Sequence, residues 1–304
     1  TTLLPGTEGA TYPTFSPDGQ QLAFYKGTKL FRVSVGGGAL TEVAAGAISA
    51  GLYWGHDNYL YYSSGLGTAG IWRVAVGGGR LENVTTVRDA DRENAHTWPQ
   101  LLPGGKAIIY TALGPSGGAT DSRIVAQTFG VDAHQVLVEN AIYGRYLPSG
   151  HLLYAKDDGT LYAVRFDADS LKTSGQHVAV QAGVGTGTWG GAAFVAFSAT
   201  GLEVYLPRSD RPGSDFVFAY RQGRPTSPAV ASEVIRRIGP GSSLGSLSPN
   251  GMQIALNVRR PGSGDIWIAP TGGGEPQRLT LDTAEDESPI WSPDGNSIAY
   301  TSAD

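Results

Sequence analysis

Four residues, Ser16-Pro17-Asp18-Gly19, return in worn copies along the whole chain. Ser292-Pro293-Asp294-Gly295 and Ser248-Pro249-Asn250-Gly251 are nearly intact. Leu102-Pro103-Gly104-Gly105, Leu147-Pro148-Ser149-Gly150, Ser198-Ala199-Thr200-Gly201 and Gly55-His56-Asp57-Asn58 are weaker copies. The seven copies close at positions 19, 58, 105, 150, 201, 251 and 295, so they are spaced by 39, 47, 45, 51, 50 and 44 residues. A period of that size marks a repeat architecture, and it limits the fold more than any local motif does.

One repeat reads as short strands separated by tight turns. In residues 12–43, Tyr12-Pro13-Thr14-Phe15 runs into the turn phrase. Pro17 presets φ for the first turn position, Asp18 bonds nearby backbone, and Gly19 supplies the positive φ. Leu22-Ala23-Phe24 is too short for a helix, and Leu30-Phe31-Arg32-Val33-Ser34-Val35 alternates as a half-buried strand does. Gly36-Gly37-Gly38 ends it, and Leu40-Thr41-Glu42-Val43 makes a fourth strand. The same order recurs at Ile71–Val76 before Gly77-Gly78-Gly79 and at Ile266–Ala269 before Gly272-Gly273-Gly274. Four antiparallel strands repeated radially form a β-propeller blade.

The expectation is an all-β chain of four-stranded antiparallel blades, seven in number, with six as the alternative. The units fall near 5–43, 47–86, 95–138, 142–181, 190–238 and 241–281, and all belong to a single domain over 1–304. A seventh unit, 285–304, closes the ring with Thr1-Thr2-Leu3-Leu4 as a strand of one composite blade. One strand of that blade is unaccounted for, and a free sheet edge there invites pairing with another chain.

Composition excludes several classes of function. The net charge is -5, and the only paired basic residues are Arg236-Arg237 and Arg259-Arg260, so nothing tracks a nucleic-acid backbone. With no cysteine there is no disulfide, thiol nucleophile or thiolate metal site. No apolar run is long enough for a transmembrane helix, so no direct membrane insertion is expected.

Apolar-Ser-Pro-Asp-Gly, then Ile-Ala-Tyr, Ile-Trp before a Gly-rich turn, and Arg-Leu-Thr together resemble the TolB-type, WD40-like propeller repeat. Residues 285–302 carry that pattern most fully. The stretches Leu4–Pro13, His96–Gly105 and Gly144–Ala155 are similar to the propeller carried by bacterial membrane-tethered serine/threonine kinases. The resemblance implies an extracytoplasmic sensing or docking module. It does not imply kinase activity, because no Gly-rich loop with a strand lysine, no His-Arg-Asp and no Asp-Phe-Gly is present.

Local motifs add little chemistry. Gly241-Ser242-Ser243-Leu244-Gly245 has nucleophile-elbow spacing, but no helix pattern follows it and no histidine lies beyond His177. Gly65-Leu66-Gly67-Thr68-Ala69-Gly70 has dinucleotide-fingerprint spacing between two strands, which suits a hairpin better. His56, His96, His134, His151 and His177 form no metal-ligand pair. Asp89, Asp91 and Glu93, and Asp282, Glu285, Asp286 and Glu287, precede first strands; they are solvated loop charge or, in the alternative, ligands for a Ca²⁺-like cation. Trp54, Trp72, Trp267 and Trp291 read as packing between blades, whereas Trp98 and Trp189 are candidates for lining a ligand site.

No nucleophile, base and metal set coheres, so the first expectation is a non-catalytic module binding a protein or small ligand at a channel mouth. Its surface is the set of loops leading into the first strands: Glu8, Thr11, Tyr12, Glu93, His96, Tyr143, Arg145, Trp189, Ser243, Asp286 and Glu287. A propeller lyase or hydrolase with His96, Tyr143 and Arg145 at the same mouth is one alternative. A regulatory propeller of a prolyl oligopeptidase-type peptidase is another.

Overall fold

The computed structural model describes residues 4–7, 9–46, 51–63, 70–187, 191–193, 195–197, 203–205, 217–219, 242–260, 263–272, 274–281 and 283–303. Its strands follow the repeat. β1 (Ala10–Phe15), β2 (Gln21–Lys26), β3 (Lys29–Ser34) and β4 (Thr41–Ala45) form one sheet in sequence order. β5 (Leu52–Trp54), β6 (Tyr59–Ser63), β7 (Ile71–Ala75) and β8 (Glu82–Asn83) form the next. They are followed by β9 (Ala95–Leu101), β10 (Ala107–Leu113), β11 (Arg123–Thr128) and β12 (His134–Glu139), and by β13 (Ile142–Leu147), β14 (His151–Ala155), β15 (Leu161–Asp167) and β16 (Lys172–Gln181).

The fifth repeat shows three strands, β17 (Val195–Phe197), β18 (Glu203–Tyr205) and β19 (Val217–Ala219). The sixth has β20 (Ser242–Leu247), β21 (Gln253–Arg260), β22 (Ser263–Pro270) and β23 (Gln277–Arg278). The seventh has β24 (Glu285–Trp291) and β25 (Ile298–Ala303), and β24 joins β22 through one parallel bridge, Gly264 to Glu285.

The blades are four-stranded and antiparallel, as the repeat requires. Their number is not the expected seven or six: five repeats complete four strands among the described residues. The fifth stops at three because its remaining span, 220–241, lies outside the described residues, and the seventh stops at two. The proposed closing strand fares similarly. Thr1, Thr2 and Leu3 lie outside the described residues, and Leu4 belongs to no strand; its carbonyl accepts from the Thr7 N–H and hydroxyl.

Two compact units are distinguished: residues 1–27, 33–40 and 194–304, and residues 28–32 and 41–193. In the first, the opening strands of successive repeats, β17, β20, β24 and β1, lie side by side. In the second the same holds for β5, β9 and β13. The second strands β2, β6, β10 and β14 are buried along most of their length, which explains their unbroken apolar runs. Every residue of β10 is buried. Ile108, Tyr110 and Ala112 pack with Tyr61 and Ile71 of the preceding blade, while Ala107 and Ile109 pack with Leu152, Tyr154 and Val164 of the following one.

The turn phrase works as a closed hydrogen-bond unit. The Ser16 hydroxyl donates to Asp18 Oδ1 (2.5 Å) and accepts from the Gln21 N–H (2.9 Å), while Asp18 Oδ1 also accepts from the Gln20 N–H (3.0 Å). Ser292 and Asp294 repeat this at 2.5 Å, and Ser248 and Asn250 at 2.8 Å. The Ser hydroxyl first and backbone N–H groups second hold the Asp18 and Asp294 carboxyls below their ordinary range. Gly19 and Gly295 take φ of 72° and 73°, and an added Cβ would stand 3.3 Å from Pro293 Cδ and 3.4 Å from Pro249 Cδ respectively. These two turns of the first unit thus rest on prolines of other turn phrases, Gly19 on Pro293 and Gly295 on Pro249.

Candidate functional site: the bulged first strands

In five repeats, among the described residues, the first strand is broken by a bulge about seven residues before the turn phrase closes. Pairing slips between Thr11 and Thr14 in β1, Thr97 and Gln100 in β9, Ile142 and Arg145 in β13, Ser243 and Ser246 in β20, and Glu287 and Ile290 in β24. Tyr12, Trp98, Tyr143 and Ser288 adopt φ of 51°, 55°, 55° and 53° at this slot, and Gly51 holds it in the second repeat with φ 101°. Left-handed backbone is disfavoured for bulky side chains, by about 1–3 kcal/mol. Pro or Gly comes next: Pro13, Pro99, Gly144, Gly245 and Pro289. A proline lacks the N–H that a regular ladder needs, and a bulge is where a strand tolerates that. Bulges also turn side chains to new directions.

In the second unit the slot gathers a cluster. The Trp98 and Tyr143 rings meet edge to face with centroids 5.8 Å apart. The Arg145 guanidinium lies 4.9 Å from the Tyr143 ring centre and 5.8 Å from that of Trp98. Its Nη1 donates to the Trp98 carbonyl (2.8 Å) and weakly to that of Gly144 (3.4 Å). Burial pushes the Tyr53 phenol up, the Arg145 charge pulls it down and Asp57 pushes it up, so Arg145 also acts on Tyr53. All four residues are half-buried. Gly51 leaves space for this arrangement, since a Cβ there would stand 3.3 Å from the Trp98 Cα and backbone N.

The strands are locked in register beside the cluster. Gln100, five residues before its turn's close, exchanges two bonds with Tyr146 of the next blade: Nε2 to its carbonyl (3.2 Å) and Oε1 from its N–H (2.8 Å). In the first unit Ser246 holds the same slot, and its hydroxyl accepts from the Trp291 N–H (3.3 Å). Arg145 also holds this slot in its blade, but its bonds run back to Trp98 and Gly144.

His96 and Glu93 form a different centre. His96 is wholly buried. Its Nδ1 meets the Thr85 hydroxyl (2.7 Å) and its Nε2 meets Glu93 Oε2 (3.0 Å), with the ring 4.5 Å from that of Tyr110. Thr85 Oγ1 also accepts from the Ile71 N–H (2.7 Å), which ties the ring to β7. Glu93 also takes the Arg88 N–H (2.9 Å) and an Arg123 N–H (3.3 Å), and His134 Nε2 stands 3.8 Å away. Burial pushes the Glu93 carboxyl up, but the hydrogen bond and charge of His96 outweigh it and leave the group below its ordinary range. Burial lowers His134 despite the pull of Glu93.

Asp91, Glu93 and His134 bring ligand atoms within 4.8 Å of one another. Both Glu93 oxygens are already taken and Arg123 supplies the positive charge, so the group is an ion-pair network. His96, with both nitrogens engaged, offers nothing to a substrate here.

The other candidate residues divide. Thr11 and Tyr12 lie exposed in β1, Tyr12 with its ring 6.4 Å from that of Tyr25. Asp286 is buried within β24, where its backbone carbonyl accepts from Asn257 Nδ2, and the Glu287 carbonyl accepts from the Thr301 hydroxyl (3.1 Å). Ser243 lies within β20 and no helix follows, so the elbow geometry is missing. Thus Thr11, Tyr12, His96, Tyr143, Arg145, Ser243, Asp286 and Glu287 sit in the first strands and not in loops before them, because the bulge lets pairing extend past the x-Pro step. Glu8 and Trp189 lie outside the described residues, as do Asp282 and Gly65–Ala69. The structure brings Tyr143 and Arg145 together with Trp98 and Tyr53. Tyr53 was missed; its signal is its offset of five residues from Asn58.

No protein-family model matches the chain, and no curated protein matches it in sequence. Solved structures do. A puromycin-hydrolyzing peptidase of Mycobacterium tuberculosis superposes with a TM-score of 0.65 at 12% identity, covering 91% of this chain and 47% of its own. An oligogalacturonate lyase in complex with manganese gives 0.64 at 12% identity, over 93% of this chain and 83% of its own. TolB from Acinetobacter baumannii gives 0.59 at 17% identity, over 93% and 66%. The fold is a β-propeller. At these identities the likeness is one of fold alone. The chain spans about half the length of the puromycin hydrolases it matches, 49% and 47%. Among the described residues no helix is long and apolar enough to cross a membrane.

Proposed function

We propose that this propeller is a non-catalytic binding module and that its ligand contacts the bulge cluster of Tyr53, Trp98, Tyr143 and Arg145. The observation that carries the reading is backbone strain repeated at one slot and there furnished with aromatic rings. Left-handed Trp98 and Tyr143 cost stability, and the bulges that impose this backbone bring the two rings together. Half-buried aromatic rings around one cation suit recognition. Against an enzyme stands His96, the one histidine within a first strand among the described residues, which is buried with both nitrogens bonded. The extracytoplasmic sensor role implied by the resemblance to kinase-borne propellers accords with such a module.

The test is a thermal-shift screen of the chain against small acids, sugars and short peptides, with hits titrated by calorimetry. Trp98→Ala and Tyr143→Ala should each weaken a hit about tenfold or more, while Lys172→Ala on the outer strand β16 should leave it unchanged. Hits that bind all three variants like the parent would sink the assignment. A second reading rests on the half-length match to the hydrolases: a regulatory propeller of a larger peptidase. It requires a hydrolase domain encoded next to this chain, which the neighbouring coding sequence would show.

A further inference from the structure

Arg145 is a half-buried cation whose charge no carboxylate of the described residues meets. The other half-buried arginines nearby are paired: Arg73 with Glu82 at 2.7 Å and Arg123 with Glu93 at 3.3 Å. Arg145 makes hydrogen bonds through Nη1 alone, to the Trp98 and Gly144 carbonyls. Its Nε and Nη2 form no bond within the protein and are not buried away from solvent. These two nitrogens form the side-on fork of a guanidinium, two parallel N–H groups whose spacing matches the two oxygens of a carboxylate. Nη1, anchored to the strained bulge, fixes the plane in which the fork lies. Trp98 and Tyr143 flank it with flat apolar faces.

The slot sharpens this. Gln100 and Ser246, at the same offset in their own blades, spend their side chains on clamping the next first strand. Arg145 is turned away from that task. Bracing Trp98 uses one nitrogen and would need no charge, whereas a partly desolvated cation without a counter-ion is costly unless an anion arrives.

We propose that the Nε/Nη2 fork of Arg145 receives the carboxylate of a ligand whose flat face packs on Trp98 and Tyr143. This deepens the binding-module reading and rests on it. The class is a carboxylic acid carried next to an aromatic or similarly flat body.

The experiment uses the whole chain and three probes at millimolar concentration: N-acetylphenylalanine, its amide, and phenyl phosphate. Binding is read by saturation-transfer NMR and calorimetry. The acid should bind the parent protein about tenfold or more tightly than the amide, as loss of a charge-assisted hydrogen-bond pair requires. Arg145→Ala should remove that preference, and Arg145→Lys, which keeps charge but not the fork, should remove most of it. Melting curves of both variants report folding, and the acid-amide comparison on the parent chain needs no variant. Equal binding of acid and amide, with both lost in Trp98→Ala, overturns the carboxylate assignment and leaves the module reading standing. Phenyl phosphate binding more tightly than the acid overturns the choice of carboxylate. No binding of any probe by the parent protein overturns this proposal alone, because the module reading is tested by its own screen.

Discussion

His96→Ala separates a structural histidine from a functional one. The side chain is wholly buried and makes a 3.0 Å bond to Glu93, a 2.7 Å bond to Thr85 and a ring contact with Tyr110 at 4.5 Å. A hydrogen bond to a buried charge contributes about 1.5–3 kcal/mol and a neutral one about 1 kcal/mol. The aromatic contact adds about 0.5–1.5 kcal/mol. Removal therefore costs about 3–5 kcal/mol, which agrees with the loss expected when one partner of a buried pair is deleted. At about 2 cal/mol/K of unfolding entropy per residue, a chain of 304 residues loses about 1.5 °C per kcal/mol. The midpoint should fall by about 5–8 °C in calorimetry or by circular dichroism. In a double-mutant cycle, His96→Ala and Glu93→Ala should be coupled by about 2 kcal/mol, since each removes the other's partner. A midpoint within about 1 °C of the parent, or strict additivity, would refute the network. A stable His96→Ala variant that lost ligand binding would return the histidine to the candidate site.

Two further outcomes follow from the same geometry. Tyr12→Gly should be more stable than Tyr12→Ala by about 1 kcal/mol, the reverse of the order in a regular strand, because only glycine sits at φ 51° without strain; both variants lose the same ring, so denaturation midpoints read the backbone alone. Acid should destabilise the fold in two stages. His134 titrates below its ordinary 6.5 when folded, so the unfolded chain takes up its proton first and stability falls as pH drops from about 6.5. Glu93 lies below its ordinary 4.5, and its contribution, complete above that value, is lost on further acidification. His134→Gln should flatten the melting temperature between pH 7 and pH 5.5, and an unchanged slope would exclude His134 as its source.

Much of the scaffold is legible in the residues because turn chemistry is local. Pro at the second turn position, a side-chain acceptor at the third and Gly at the fourth fix the reversal, and β1 and β2, β20 and β21, and β24 and β25 flank it as read. The bulge is legible only as an offset. Tyr12-Pro13, Trp98-Pro99 and Ser288-Pro289 each stand at the same distance before a turn, yet a residue preceding proline ordinarily favours extended backbone, so the dipeptide alone points to a loop. Hence the site residues were expected in loops. Glu93 meets His134 across 41 positions of sequence, and nothing local marks that pairing. The buried Thr85 hydroxyl accepts from the Ile71 N–H just past β8, as Thr280 does for Ile266 at 2.9 Å.

The division of labour between slots bears on how such a chain acquires a ligand. Gly51, Trp98 and Tyr143 are successive versions of one position, and Tyr53, Gln100 and Arg145 of another two residues on. The left-handed backbone is kept whether a glycine, a tryptophan, a tyrosine or a serine occupies the slot, at φ 101°, 55°, 55° and 53°. Side chains at these two slots are therefore free to differ without disturbing the blade, in contrast to Ile108 or Ile109, where each methyl group is packed against a neighbour. A sequence change from Gln to Arg at the second slot exchanges a neutral amide for a charged fork. In the second unit that exchange is made once, beside the two blades whose bulges carry aromatic rings. Restoring glutamine with Arg145→Gln tests the trade directly: affinity for the carboxylate probe should fall while the melting temperature holds or rises, and a fall in both would mean that Arg145 serves the bulge first and the ligand second.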